Sequence, residues 1–109
     1  MNPWVLLGFA IATEVTATLS LRASDGFKRL GFSIVVIVGY GLSFWLLGLI
    51  LRELPSGVVY AIWSGFGIAI IAVAGRFLFD DRLPIAAIGG IALILVGILT
   101  INLSGAGGR

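Results

Sequence analysis

Residues 3–21 read PWVLLGFAIATEVTATLSL, nineteen positions in which the only ionisable side chain is Glu14. A helix that crosses a bilayer needs about 20 mostly apolar residues, so this run reads as one span. Glu14 falls about 11 residues into it, or roughly 16 Å along the axis, close to the bilayer midplane. Three further uncharged runs have the same length class: 31–51, 57–75 and 83–103. They leave loops of nine, five and seven residues and two short tails. Loops so short force consecutive helices to lie side by side in opposite directions.

Composition agrees with an all-α integral membrane protein. The 109 residues are 60% hydrophobic and 11% charged, with mean hydropathy +1.18, against about 25% charged in a soluble domain. The expected organisation is one four-helix transmembrane domain over residues 1–109, multi-pass in a cell membrane. The first run lacks a basic start, exceeds a signal-peptide core in length and carries Glu14, so it reads as a permanent helix. Ser24-Asp25-Gly26, Leu54-Pro55-Ser56-Gly57 and Asp80-Asp81-Arg82-Leu83-Pro84 break the chain between spans, and Asn2-Pro3 suits a helix start. Arg22, Lys28, Arg29, Arg76 and Arg82 fall on one side of the membrane, Arg52 and Arg109 on the other. The positive-inside rule then puts the first and third loops in the cytoplasm.

The absence of cysteine and histidine excludes thiol nucleophiles, disulfides and the usual zinc sites. No metal or other cofactor is implied. The formal charge of +2 comes from scattered loop residues rather than a basic stripe, which gives nucleic-acid binding no support. One intramembrane carboxyl without a nucleophile or a second acid falls short of a catalytic set, so an enzyme is not expected.

Every acidic residue but Glu14 lies in a loop, and no basic residue lies in any of the four runs. A charge at the bilayer centre costs at least about 2.5 kcal/mol, and such residues are functional candidates by default. A carboxyl withdrawn from water favours its protonated form, while an arriving cation favours the ionised one. Such a group holds a proton or a cation, and that exclusion is the minimum chemistry of proton-coupled exchange. The alternative is a protonated Glu14 that hydrogen-bonds a neighbouring helix in a non-transporting membrane assembly subunit.

Helical spacing puts Leu7, Ala10, Ile11, Glu14, Ala17, Thr18 and Leu21 on one face, where small side chains leave room beside the carboxyl. Tyr40, Ser43, Phe44 and Leu47 share a face of the second run, and Tyr60, Trp63, Ser64 and Gly67 a face of the third. Aromatic faces attract organic cations, by up to about 2 kcal/mol when desolvated, so the candidate ligands are lipophilic cations and protons. Tyr60 and Trp63 also fit an interfacial aromatic belt, and Trp4 reads as belt.

Glycine occurs 16 times, and in lipid small residues let helix backbones approach. Gly90 and Gly97 share one stripe of the fourth run with Leu93, Ile94 and Ile101, a packing seam within the chain or between two copies. Gly65-Phe66-Gly67 serves either as a kink in the third helix or as a close-packing surface.

The chain resembles the small multidrug resistance family over essentially its whole length. The resemblance rests on Met1-Asn2-Pro3, residues 12–18 around Glu14, Asp25-Gly26-Phe27-Lys28-Arg29-Leu30, Ser43-Phe44-Trp45-Leu46-Leu47, residues 90–102 and, above all, Tyr60-Ala61-Ile62-Trp63-Ser64-Gly65-Phe66-Gly67-Ile68. It implies a proton-coupled exporter of lipophilic or quaternary ammonium cations that works as an antiparallel dimer, with two Glu14 carboxyls in a shared site lined by Tyr40, Tyr60 and Trp63. It also implies a bend at Gly65 and Gly67 and a dimer stripe of Gly90, Leu93, Ile94, Gly97 and Ile98. Antiparallel copies would alternate access as inverted halves do. Ala17 and Ser64 resemble the multidrug branch rather than the guanidinium-exporting one, which has Trp and Thr there. Guanidinium or polyamine export is the alternative within the family. Arg22, Asp25 and Phe66 stand where the family pattern has Lys, Glu and a smaller aliphatic residue. The five-to-two charge bias departs from the balance of a dual-topology homodimer and points instead to a heterodimer with a paralogue as the alternative assembly.

Overall fold

The computed structural model describes residues 2–105, so Met1 and Arg109, used above, lie outside the described residues. Among the described residues there are four helices and no strand: α1 Pro3–Ala23, α2 Leu30–Ile50, α3 Ser56–Leu78 and α4 Ile85–Leu103. Each is long and apolar enough to cross a membrane.

The helix ends follow from local chemistry. Asn2 caps α1, its Oδ1 accepting the Trp4 N–H at 2.8 Å, and Pro3 occupies the first turn, where its missing N–H costs nothing. At the other end Ser24 is fully buried and ties the turn: its hydroxyl donates to the Leu21 carbonyl at 2.7 Å and accepts the Phe27 N–H at 3.0 Å. These bonds hold Asp25, Gly26 and Phe27 in the left-handed region, at φ 52°, 70° and 68°. That conformation costs a non-glycine residue about 1–2 kcal/mol. Pro55 and Pro84 are extended and begin α3 and α4, with Val59 N–H on the Pro55 carbonyl at 3.1 Å and Ala87 N–H on that of Pro84 at 2.9 Å.

Two helices overrun the uncharged stretches. α1 continues through Arg22 to Ala23, and α3 through Arg76 to Leu78. A long basic side chain at a helix end lays its stem along apolar surface and keeps its head at the interface, so charge marks the membrane edge without ending the helix. Conversely, α4 starts at Ile85 rather than residue 83 because Pro84 is extended.

The helices pack as two hairpins, α1 on α2 within Met1–Arg52 and α3 on α4 within Glu53–Arg109. In the first, α2 comes close to α1 at Gly39: a Cβ there would lie 2.8 Å from Ala17 Cβ and 3.2 Å from the Thr13 carbonyl oxygen. In the second, a Cβ on Gly65 would overlap Ile98 and press on Ile94 at 3.1 Å. α3 is helical without interruption through Gly65-Phe66-Gly67. Only 6% of the apolar stretch of α4 is buried, so α3 leaves most of that helix uncovered.

Candidate functional site

Glu14 is half-buried in the middle of α1. One turn further on, Thr18 Oγ1 donates to Glu14 Oε1 at 3.0 Å, and Thr18 Oγ1 also lies 2.6 Å from the Tyr40 hydroxyl of α2. Thr18 has one hydroxyl proton. If it goes to the carboxylate, Tyr40 must donate to Thr18, and the three groups form a directed chain from phenol to hydroxyl to carboxylate. A carboxylate has about four acceptor sites, and among the described residues this is the only hydrogen bond Glu14 makes. No ion pair to Glu14 occurs among them either. The carboxyl thus retains unused acceptor capacity.

The small residues beside Glu14 have specific positions. Ala10 and Ala17 are fully buried, and Ala17 is the surface against which Gly39 fits. Ser43 is also fully buried, and its hydroxyl donates to the Tyr40 carbonyl at 2.9 Å. It therefore braces the turn that carries Tyr40 instead of presenting a hydroxyl to a ligand. The hairpin brings Glu14, Thr18 and Tyr40 together because Gly39, next to Tyr40, has no side chain to hold α2 away. Gly39 was not among the candidates from sequence. No signal in the sequence singles it out, since Gly41 is equally adjacent to Tyr40.

The other hairpin carries the remaining candidates. On α3, Trp63 and Ser64 are half-buried, Gly65 and Gly67 are buried, and Tyr60 is 75% exposed. On α4 the glycine stripe divides. Ile98 is buried and faces Gly65 together with Ile94, whereas Gly90, Leu93 and Gly97 are exposed and a Cβ on either glycine would meet nothing. Among the described residues no group of three or more His, Cys, Asp or Glu side chains is placed to hold a metal.

Four apolar helices, each long enough to cross a bilayer, one with a carboxyl at its centre, define a multi-pass membrane protein. Residues 2–94 match the family model described as Small Multidrug Resistance protein, and the chain belongs to that family. It is 47% identical to the multidrug transporter EmrE of Escherichia coli K12 and 43% identical to the quaternary ammonium compound-resistance protein QacE of Escherichia coli, in both cases over 94% of each chain. It is 39% identical to the multidrug resistance protein EbrA of Bacillus licheniformis, over 93% of this chain and 96% of that one. These relatives are transporters and resistance proteins. The chain is accordingly a membrane protein of the bacterial inner membrane and not an enzyme.

Proposed function

We propose that the protein exports lipophilic and quaternary ammonium cations in exchange for protons, with Glu14 holding one or the other. The observation that carries this reading is the mid-helix carboxyl held by a single hydrogen bond, from Thr18, which is itself bonded to Tyr40. A cation and a proton compete for the same carboxyl oxygens, so in this reading binding of one displaces the other. The names of EmrE and QacE support drug and quaternary ammonium cations as the cargo. Tyr40, Tyr60 and Trp63 supply aromatic faces suited to such ions; Thr18 and Ser64 add hydroxyls, and the buried Ala10, Ala17 and Ser43 fix the packing that carries Glu14 and Tyr40.

The unit of transport in this reading is a pair of chains, each a single transmembrane domain, inserted in opposite directions so that the two Glu14 carboxyls share one site. The nearly uncovered α4 supports it: Gly90, Leu93 and Gly97 offer a small-residue strip to a second copy. Gly65 and Gly67 provide the place where α3 changes shape between states.

The test is proton release from purified protein on addition of tetraphenylphosphonium. The expected result is release with the native chain and none with Glu14→Gln, with the helical circular dichroism of the two unchanged. Equal release from both would overturn the assignment.

A further inference from the structure

A hydroxyl inside an apolar helix ordinarily donates to a carbonyl three or four residues back along the same helix. Thr13, Thr16, Ser33, Ser43 and Thr100 all do so, at 2.8–3.0 Å, and Thr18 gives its proton to Glu14 instead. Ser64 departs from this pattern. The carbonyls of Ala61 and Tyr60 stand three and four residues before it, yet among the described residues its hydroxyl makes no hydrogen bond. Ser20 and Ser56 are also unpaired, but they lie within three residues of a helix end, at the level where water serves them. Ser64 lies eight residues beyond Ser56, about 12 Å along the axis of α3, and is half-buried. The Tyr60 phenol, one turn earlier on the same face, is unpaired as well.

An unpaired hydroxyl in hydrocarbon is costly, and a site that leaves one open is completed by what enters it. The serine oxygen has two lone pairs to offer. A quaternary ammonium or phosphonium ion has no N–H group and cannot use them. A guanidinium has five N–H donors; a carboxylate engages two of them in a fork, and the rest need other acceptors once water is gone. On the α1–α2 hairpin the hydroxyls nearest Glu14 are already committed, Thr18 to Glu14 and Tyr40, and Ser43 to the Tyr40 carbonyl. We propose that Ser64 is the specificity-determining acceptor for cations that carry N–H groups, guanidinium and primary ammonium ions, and so adds them to the quaternary ions as cargo. This rests on the reading that α3 lines the Glu14 site.

The test is isothermal calorimetry in detergent with phenylguanidinium and phenyltrimethylammonium, which share a ring and a charge and differ in their N–H groups. A hydrogen bond from a charged donor is worth about tenfold in affinity, so Ser64→Ala should weaken phenylguanidinium binding by about that factor and leave phenyltrimethylammonium unchanged. Ser64→Thr, which keeps a hydroxyl, should retain most of the phenylguanidinium affinity. Thr16→Val, which removes a hydroxyl already bonded within α1, should alter neither, and helical circular dichroism should be native in all three. Equal weakening of both cations by Ser64→Ala would make the hydroxyl a packing bond, and undiminished phenylguanidinium binding would make it idle; either overturns the proposal, as does a native chain that fails to bind phenylguanidinium. Glu14→Gln reports separately on the exchange reading and should abolish binding of both cations. If both still bind to it while Ser64→Ala remains selective, exchange at Glu14 fails and the Ser64 acceptor stands.

Discussion

The hydroxyls of Thr18 and Tyr40 lie 2.6 Å apart, and through this contact the carboxyl-bearing helix α1 is joined to α2. Thr18 cannot give its one proton to Glu14 and to Tyr40 together. An ionised Glu14 draws the proton of Thr18 and makes Tyr40 the donor. A protonated Glu14 can donate to Thr18, which is then free to donate to Tyr40. The direction of the chain follows the state of the carboxyl.

Because the link needs both hydroxyls, their removal should not add. A hydrogen bond contributes about 1 kcal/mol net, or fivefold in affinity. Thr18→Val and Tyr40→Phe should each weaken tetraphenylphosphonium binding by about that factor in isothermal calorimetry, and the double variant should be little worse than either. A double variant weakened by the product of the two single factors would mean that the residues act separately.

Gly39 and Ala17 set the spacing on which that link depends. Adding a Cβ at Gly39 puts it 2.8 Å from Ala17 Cβ, so Gly39→Ala should force the helices apart at a cost of about 1–3 kcal/mol. Gly41, with nothing within 4 Å of its Cβ position, should tolerate alanine. Thermal unfolding in detergent checks both, and Ala17→Gly placed with Gly39→Ala should recover part of the loss. A Gly39→Ala protein as stable as the native one would show that the two helices have slack at this level.

The spans are legible in the sequence because charge or proline bounds each apolar run, and the errors of two or three residues arise where Arg22 and Arg76 continue a helix past the membrane edge. The shared face of Glu14 and Thr18 follows from spacing alone. Which glycine touches what does not. A helix that is apolar all round carries no stripe that fixes its rotation, so nothing in the sequence separates Gly39, which meets Ala17, from Gly41 and Gly48, which meet nothing. The division of the α4 stripe is hidden for the same reason: Ile98 and Gly97 are neighbours in sequence, yet one packs on Gly65 and the other faces outward.

The turn after α3 offers a test of backbone strain against charge. Asp80 has φ 57° and accepts from Arg76 Nη1 at 2.6 Å, with the two side chains 91% and 51% exposed. So exposed a pair is worth about 0–1 kcal/mol, whereas a left-handed residue with a Cβ costs about 1–2 kcal/mol. Asp80→Gly should leave the unfolding temperature unchanged or slightly raised. Asp80→Val, which keeps the strain and loses the pair, should lower it. A drop for the glycine variant as large as for valine would assign the stability to the ion pair.

Two glycines on α3 and α4 separate packing within a chain from association between chains. Gly65 has no room, since its Cβ would overlap Ile98; Gly65→Ala should destabilise the α3–α4 hairpin by about 1–3 kcal/mol. Ile98→Val, which deletes the overlapping methyl, should restore most of it. Gly97 has open space within its own chain, so Gly97→Leu should leave the helical content and the monomer's packing intact. If the strip of Gly90, Leu93 and Gly97 meets a second copy, that leucine prevents the backbones from approaching, and cross-linking in lipid vesicles should show the dimer fraction falling with a matching loss of tetraphenylphosphonium binding. An undiminished dimer in Gly97→Leu would move the contact between copies off this strip of α4.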